Sequence, residues 1–104
     1  MKTLLLTILV TAFSAGPALA NDAALQLAQK NNCAACHAVD KKLVGPSWQD
    51  IGKKYAGDAE AEARLVAKAK KGSVGVWGQV PMPPNVTAKD ADIKVIVQYA
   101  LSLK

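Results

Sequence analysis

Five consecutive residues, Cys33-Ala34-Ala35-Cys36-His37, hold the only two cysteines and the only histidine of a 104-residue chain. Every fold open to this sequence has to use that cluster. A structural zinc site needs a second pair of ligands, and no further Cys or His exists to supply one. A disulfide is the ordinary fate of two cysteines in an exported protein. A thioredoxin-like redox pair would follow a strand inside a βαβ pattern. The remaining option is C-x-x-C-H as the sequence on which c-type haem is attached. The choice among these turns on compartment and on secondary-structure pattern.

The first twenty residues speak to compartment. Lys2 precedes the apolar run LLLTILVTAF and then SAGPALA, where Ala18 and Ala20 form the A-x-A pattern that signal peptidase cuts after. Leu4 to Ala15 falls short of the ~20 apolar residues needed to span a bilayer, and Gly16 and Pro17 interrupt it. Residues 1–20 therefore read as a cleaved secretory signal peptide, and residues 21–104 as one domain working outside the cytoplasm, with no stable membrane insertion. A domain of this size supplies only ~3–5 kcal/mol from a purely proteinaceous core. Past the leader the aromatic residues are Trp48, Tyr55, Trp77 and Tyr99, too few to fill the middle. A bound group in that middle is the natural inference. Without Lys2, twelve Lys and Arg stand against eight Asp and Glu, a net charge of +4. No arginine block or basic run interleaved with aromatics accompanies it, which argues against nucleic acid; the lysines form either a solvated face or a docking surface.

Hydrophobic spacing predicts four helices and no strand, an all-α chain. The first begins with Asn21 as N-cap and runs through DAALQLAQK to Asn31 and Asn32. A short second helix follows Pro46 in SWQDIGKKY and is stopped by Gly57. The third covers about Asp58 to Lys71, with Glu60 and Glu62 in its first turn and Lys68, Lys70 and Lys71 in its last, an order that suits the helix dipole, and Gly72 ends it. The fourth opens on a Thr87 to Asp90 capping box and continues with Ile93, Ile96, Val97, Ala100 and Leu101 on one face. Between the last two, residues 72–86 carry too many glycines and prolines for regular structure and must be held by what they wrap.

The leader and the helical pattern together favour haem attachment. Two thiols three residues apart reach the two vinyl groups on one edge of a porphyrin, and His37 can then bind the iron from below. No second histidine exists for a bis-His centre, and once the leader is removed Met82 is the single methionine. It sits in PMPPN, where prolines fix the backbone. A rigid loop presenting one thioether is what a sixth iron ligand requires; a gap-filling core methionine is the alternative. His/Met ligation raises the reduction potential and leaves no open position for substrate, so the site should move electrons rather than make bonds.

CAACHAVDKKLVGP, YAG, KKGSVGVWGQVPMPPN and the terminal helix together resemble a small bacterial class I cytochrome c of the cytochrome c-551 (c8) group. That resemblance implies the class I cytochrome c fold, four short helices wrapped around one covalently attached haem c, with first and last helices crossed. It implies Cys33 and Cys36 as the haem thioethers and His37 and Met82 as axial ligands of the iron. It implies further that Pro46 accepts the His37 Nδ1 hydrogen, that Trp77 bonds a haem propionate and that Asn85 lies near the methionine sulfur. Read without it, Trp77 is a core residue and Asn85 a turn or cap. Lys68, Trp48, Tyr55 and Gln79 stand where relatives often carry other residues. The implied function is a soluble, monomeric periplasmic one-electron carrier between respiratory-chain donors and nitrite reductase, cytochrome c peroxidase or a terminal oxidase. The redox partners would dock at the exposed haem edge, among Ala34, Ala35, Leu43, Val44, Val80 and Pro81, with Lys30, Lys41, Lys42, Lys53 and Lys54 as a positive rim. An open-site haem module and a thiol-disulfide oxidoreductase are the rival classes.

Overall fold

The computed structural model describes residues 17–103. The expected leader thus lies outside the described residues, apart from its last four positions. The regular structure consists of α1 (Pro17–Lys30), a 3₁₀ turn (Cys33–Ala35), α2 (Trp48–Lys54), α3 (Ala61–Lys71) and α4 (Asp90–Ser102). Among the described residues no strand forms, only two isolated bridges, His37 with Lys42 and Ser73 with Met82. The all-α expectation holds.

Helix α4 organises the rest. Its stripe packs in two directions: Ile96, Tyr99 and Ala100 join Ala24 and Ala28 of α1 and Trp48 and Ile51 of α2, while Ile93 and Val97 join Ala88 and the α3 residues Leu65, Val66 and Ala69. Small side chains set the closeness. Ala24, Ala28 and Ala100 are 1–2 % exposed, so α1 and α4 meet almost backbone to backbone. At Gly52 the approach is closer still, since a Cβ there would stand 2.1 Å from the Leu103 carbonyl oxygen and 2.4 Å from that of Ala100.

Three predicted helix starts move. Helix α1 does not begin at Asn21; among the described residues it is already helical from Pro17, and Ala18, Leu19 and Ala20 are good helix formers. Helix α3 begins at Ala61 rather than Asp58, which stays outside the helix, accepting the Glu60 N–H at 2.9 Å and pairing with Arg64. The capping box before α4 is not made: Thr87 donates its hydroxyl to Asn85 Oδ1, the Ala88 N–H goes to the same oxygen at 3.1 Å, and Lys89 occupies the N-cap with no side-chain bond. The chain ends are as expected. Asn32 takes a left-handed φ of 65° after α1, tolerated better by Asn than by most residues, and Gly72 closes α3 at φ 85° with its N–H on the Lys68 carbonyl.

Candidate functional site

The 3₁₀ turn explains the spacing of the cysteines. In a 3₁₀ turn residues i and i+3 eclipse one another, and the Cys36 and His37 N–H groups both bond to the Cys33 carbonyl, at 3.1 and 3.0 Å. The Cys33 and Cys36 thiols therefore face the same side, into one cavity of about 590 Å³. All seven residues singled out in the sequence line that cavity. Its volume is that of a small-molecule or cofactor site.

His37 is the most constrained of them. It is 8 % exposed, and its Nδ1 lies 2.7 Å from the Pro46 carbonyl oxygen. A carbonyl only accepts, so Nδ1 carries the proton and Nε2 keeps its lone pair. The loop from 36 to 48 is cinched at its neck to hold this arrangement: Gly45 N–H bonds to Cys36 O at 2.8 Å, Trp48 N–H to Ala38 O at 2.8 Å and Gln49 N–H to Val39 O at 3.1 Å. Ser47, buried, caps α2 by accepting the Asp50 N–H. Gly45 packs against the imidazole so tightly that a Cβ would fall 2.6 Å from Cε1, and the Trp48 ring stacks on it with centroids 4.6 Å apart and planes 29° off parallel. Such a pair contributes ~0.5–1.5 kcal/mol beyond area burial.

Met82 lines the same cavity and is held by its backbone. Its N–H and carbonyl bond to Ser73 at 2.7 and 3.0 Å, which pins the far end of the loop to its near end, just past Gly72. Asn85 anchors the loop's exit: its N–H reaches Ala69 O at 2.8 Å, its Nδ2 donates to Asn31 O at 3.0 Å and its Oδ1 takes the Ala88 N–H. The turn reading of Asn85 is thus realised, and its amide ties the ends of α1 and α3 to the start of α4. Trp77 is 40 % exposed rather than part of the protein core, with the Lys54 Nζ 5.3 Å from its ring centroid.

Two contacts had no clear warning in the sequence: the Trp48 stack on His37, eleven residues away, and the Lys54 ammonium over Trp77. The only signal for the first is the G-P-S-W run, where a glycine and a fixed proline precede an aromatic. The thiol-oxidoreductase reading loses ground here. Burial pushes the Cys33 thiol up from its ordinary range, opposite to the lowered value of a reactive thiolate.

Two sulfurs on one side of a turn, an imidazole with a free Nε2 and a thioether around one cavity are a donor set that fits haem c. The cytochrome c family model matches residues 15–104. The chain is 50 % identical over 93 residues to cytochrome c-551 of Allochromatium vinosum, covering 89 % of this chain and 97 % of that protein. It is 55 % identical over 78 residues to cytochrome c-552 of Nitrosomonas europaea, covering 75 % and 76 %. The crystal structure of wild-type Nitrosomonas europaea cytochrome c552 superposes with a TM-score of 0.74 at 54 % identity, over 77 % of this chain and 99 % of that one. The fold is that of the class I cytochromes c, whose cofactor is covalently bound haem c with its iron. The chain therefore belongs to the cytochrome c family, whose members are small electron carriers and not enzymes.

Proposed function

We propose that this chain is a soluble, monomeric periplasmic one-electron carrier, cleaved after Ala20, with haem c held by Cys33 and Cys36 and its iron bound by His37 and Met82. The observation that carries the proposal is the Nδ1–H bond of His37 to Pro46, 2.7 Å long, which leaves Nε2 as the imidazole's uncommitted nitrogen, in a cavity that Met82 also lines. Bound haem supplies the one-electron Fe(III)/Fe(II) couple. The protein supplies the rest: the Pro46 carbonyl fixes the tautomer and orientation of His37, the cinched loop prevents the ring from turning away, and the Ser73–Met82 bridge fastens the backbone of the residue that would supply the thioether. With His37 and Met82 both bound to the iron, no position would remain for a substrate. Trp77 and Asn85 line the same cavity; Trp77 would bond a haem propionate and Asn85 would stand near the Met82 sulfur.

Partners would meet the protein on the side of the cysteine turn. Ala34, Ala35, Leu43, Val44, Val80 and Pro81 are all exposed, as are the five lysines of the proposed rim, which suits acidic redox proteins and makes encounter rates salt-dependent. Nitrite reductase, cytochrome c peroxidase and a terminal oxidase are the candidate acceptors. Among the described residues no helix is long and apolar enough to cross a membrane.

The deciding test is the visible spectrum of the exported protein, oxidised, reduced, and reduced under carbon monoxide. Sharp reduced c-haem bands unmoved by carbon monoxide, plus the weak sulfur-to-iron band when oxidised, are expected; Met82→Ala should abolish that band and admit carbon monoxide. Carbon monoxide binding by the unmutated protein would mean an open site and would sink the Met82 assignment.

A further inference from the structure

One hydrogen bond fixes where Nδ1 of His37 sits but leaves the imidazole able to rock about that contact. The structure supplies a second restraint. Trp48 is 7 % exposed and lies against the face of the His37 ring at 4.6 Å between centroids. It is held there by means independent of the stack: its N–H bonds to Ala38 O, its neighbour Gln49 bonds to Val39 O, and Ser47 caps the helix that Trp48 opens. Gly45 packs against the same ring over Cε1, between its two nitrogens. The imidazole is therefore hemmed in by Trp48 and Gly45, groups that cannot retreat, and the Nδ1–H···O bond runs beside them. Hydrogen bonds sheltered from water are electrostatically stronger.

We propose that Trp48 is a positioning residue for the histidine ligand: its indole sets the plane of the His37 ring and keeps water from the Nδ1–H···O=C bond to Pro46. This rests on the reading of His37 as an iron ligand. Trp48 touches the imidazole and would act on the iron only through it, by holding the orientation of Nε2. An aromatic ring of smaller size should do most of this work, and an aliphatic side chain should not.

The test uses the haem-loaded protein and reads solvent exchange of the His37 Nδ1 proton by NMR, divided by exchange of the Ile96 backbone amide in the core. Trp48→Leu should raise that ratio by about tenfold, and Trp48→Phe should keep it within about threefold of the unmutated value. General loss of stability speeds both protons and leaves the ratio alone, so a merely structural role for Trp48 predicts no change. An unchanged ratio in Trp48→Leu overturns the inference; if that variant does not fold, Trp48→Met takes its place with the same expectation. Visible spectra of the same samples separate the two claims. With carbon-monoxide-insensitive c-haem bands present, an unchanged ratio counts against Trp48 alone, whereas loss of histidine ligation in the unmutated protein overturns both.

Discussion

The helical frame and the loop of residues 72–86 line the same cavity and are built on opposite principles. In the frame, α1, α2 and α4 meet through Ala24, Ala28, Gly52 and Ala100, and contact between protein atoms does the stabilising. The loop has almost none of that. Val74, Val80 and Val86 are 69 %, 64 % and 76 % exposed, and its backbone is fastened mainly at the roots, by the Ser73–Met82 bridge and by Asn85. A loop with apolar side chains and few protein contacts takes its order from what it encloses. His37, in the loop from 36 to 48 that is bonded across its neck and packed on α2, is held by contacts and hydrogen bonds between protein atoms, whereas Met82 is held by backbone bonds at the roots of its loop.

The largest expected effect breaks this contrast open. Cys33→Ser with Cys36→Ser removes covalent attachment and should cost more than ~4 kcal/mol. Amide exchange should speed first at Ser73 and Met82, with α4 amides such as Ala100 protected longest; equal loss in both regions would refute the division. Gly52→Ala strikes the frame instead. The added Cβ meets two backbone carbonyls, so a loss of ~1–3 kcal/mol in chemical denaturation is expected, with the haem spectrum of the folded fraction unchanged. Lys54→Gln cuts a link between the two regions, the ammonium above Trp77. At an exposed site this is worth about 0.5 kcal/mol, or a Tm lower by ~2–4 °C in calorimetry. The smallest effect lies in the frame alone. Burial raises the Tyr99 hydroxyl above its ordinary range, so the unfolded chain ionises first as pH climbs. The corresponding stability is complete below about pH 10 and declines as pH rises through the native value; Tyr99→Phe should flatten that decline in denaturation curves taken from pH 9 to 11.

The same contrast governs what could be read from the amino acids. The α4 stripe was legible because Ile93, Ile96, Val97 and Ala100 repeat at helical spacing, and all four are buried. The convergence of Cys33, Cys36, His37 and Met82 was legible because a short motif and a proline-rich loop carry it. Helix starts were not, since they depend on small competitions among neighbouring polar groups. Asn85 takes the Ala88 N–H and the Thr87 hydroxyl together, so the Thr87 capping box never forms. Nor could composition separate the two tryptophans. Trp48 is enclosed because a loop closes its neck around it, and Trp77 stays half open because it faces the cavity from outside the frame.

The bond from the Asn85 side chain to the Asn31 carbonyl joins residues 54 positions apart. Closing so long a segment carries an entropic penalty, which falls once α1 and α4 have docked and brought the two ends near each other. This implies a sequence in time: the ends of the chain meet first, and the methionine arm latches afterwards. In stopped-flow refolding the sulfur-to-iron band should therefore lag the helical signal. Under mild denaturant the thioether should let go while the imidazole is still bound, so that transient ligand exchange is confined to one side of the metal.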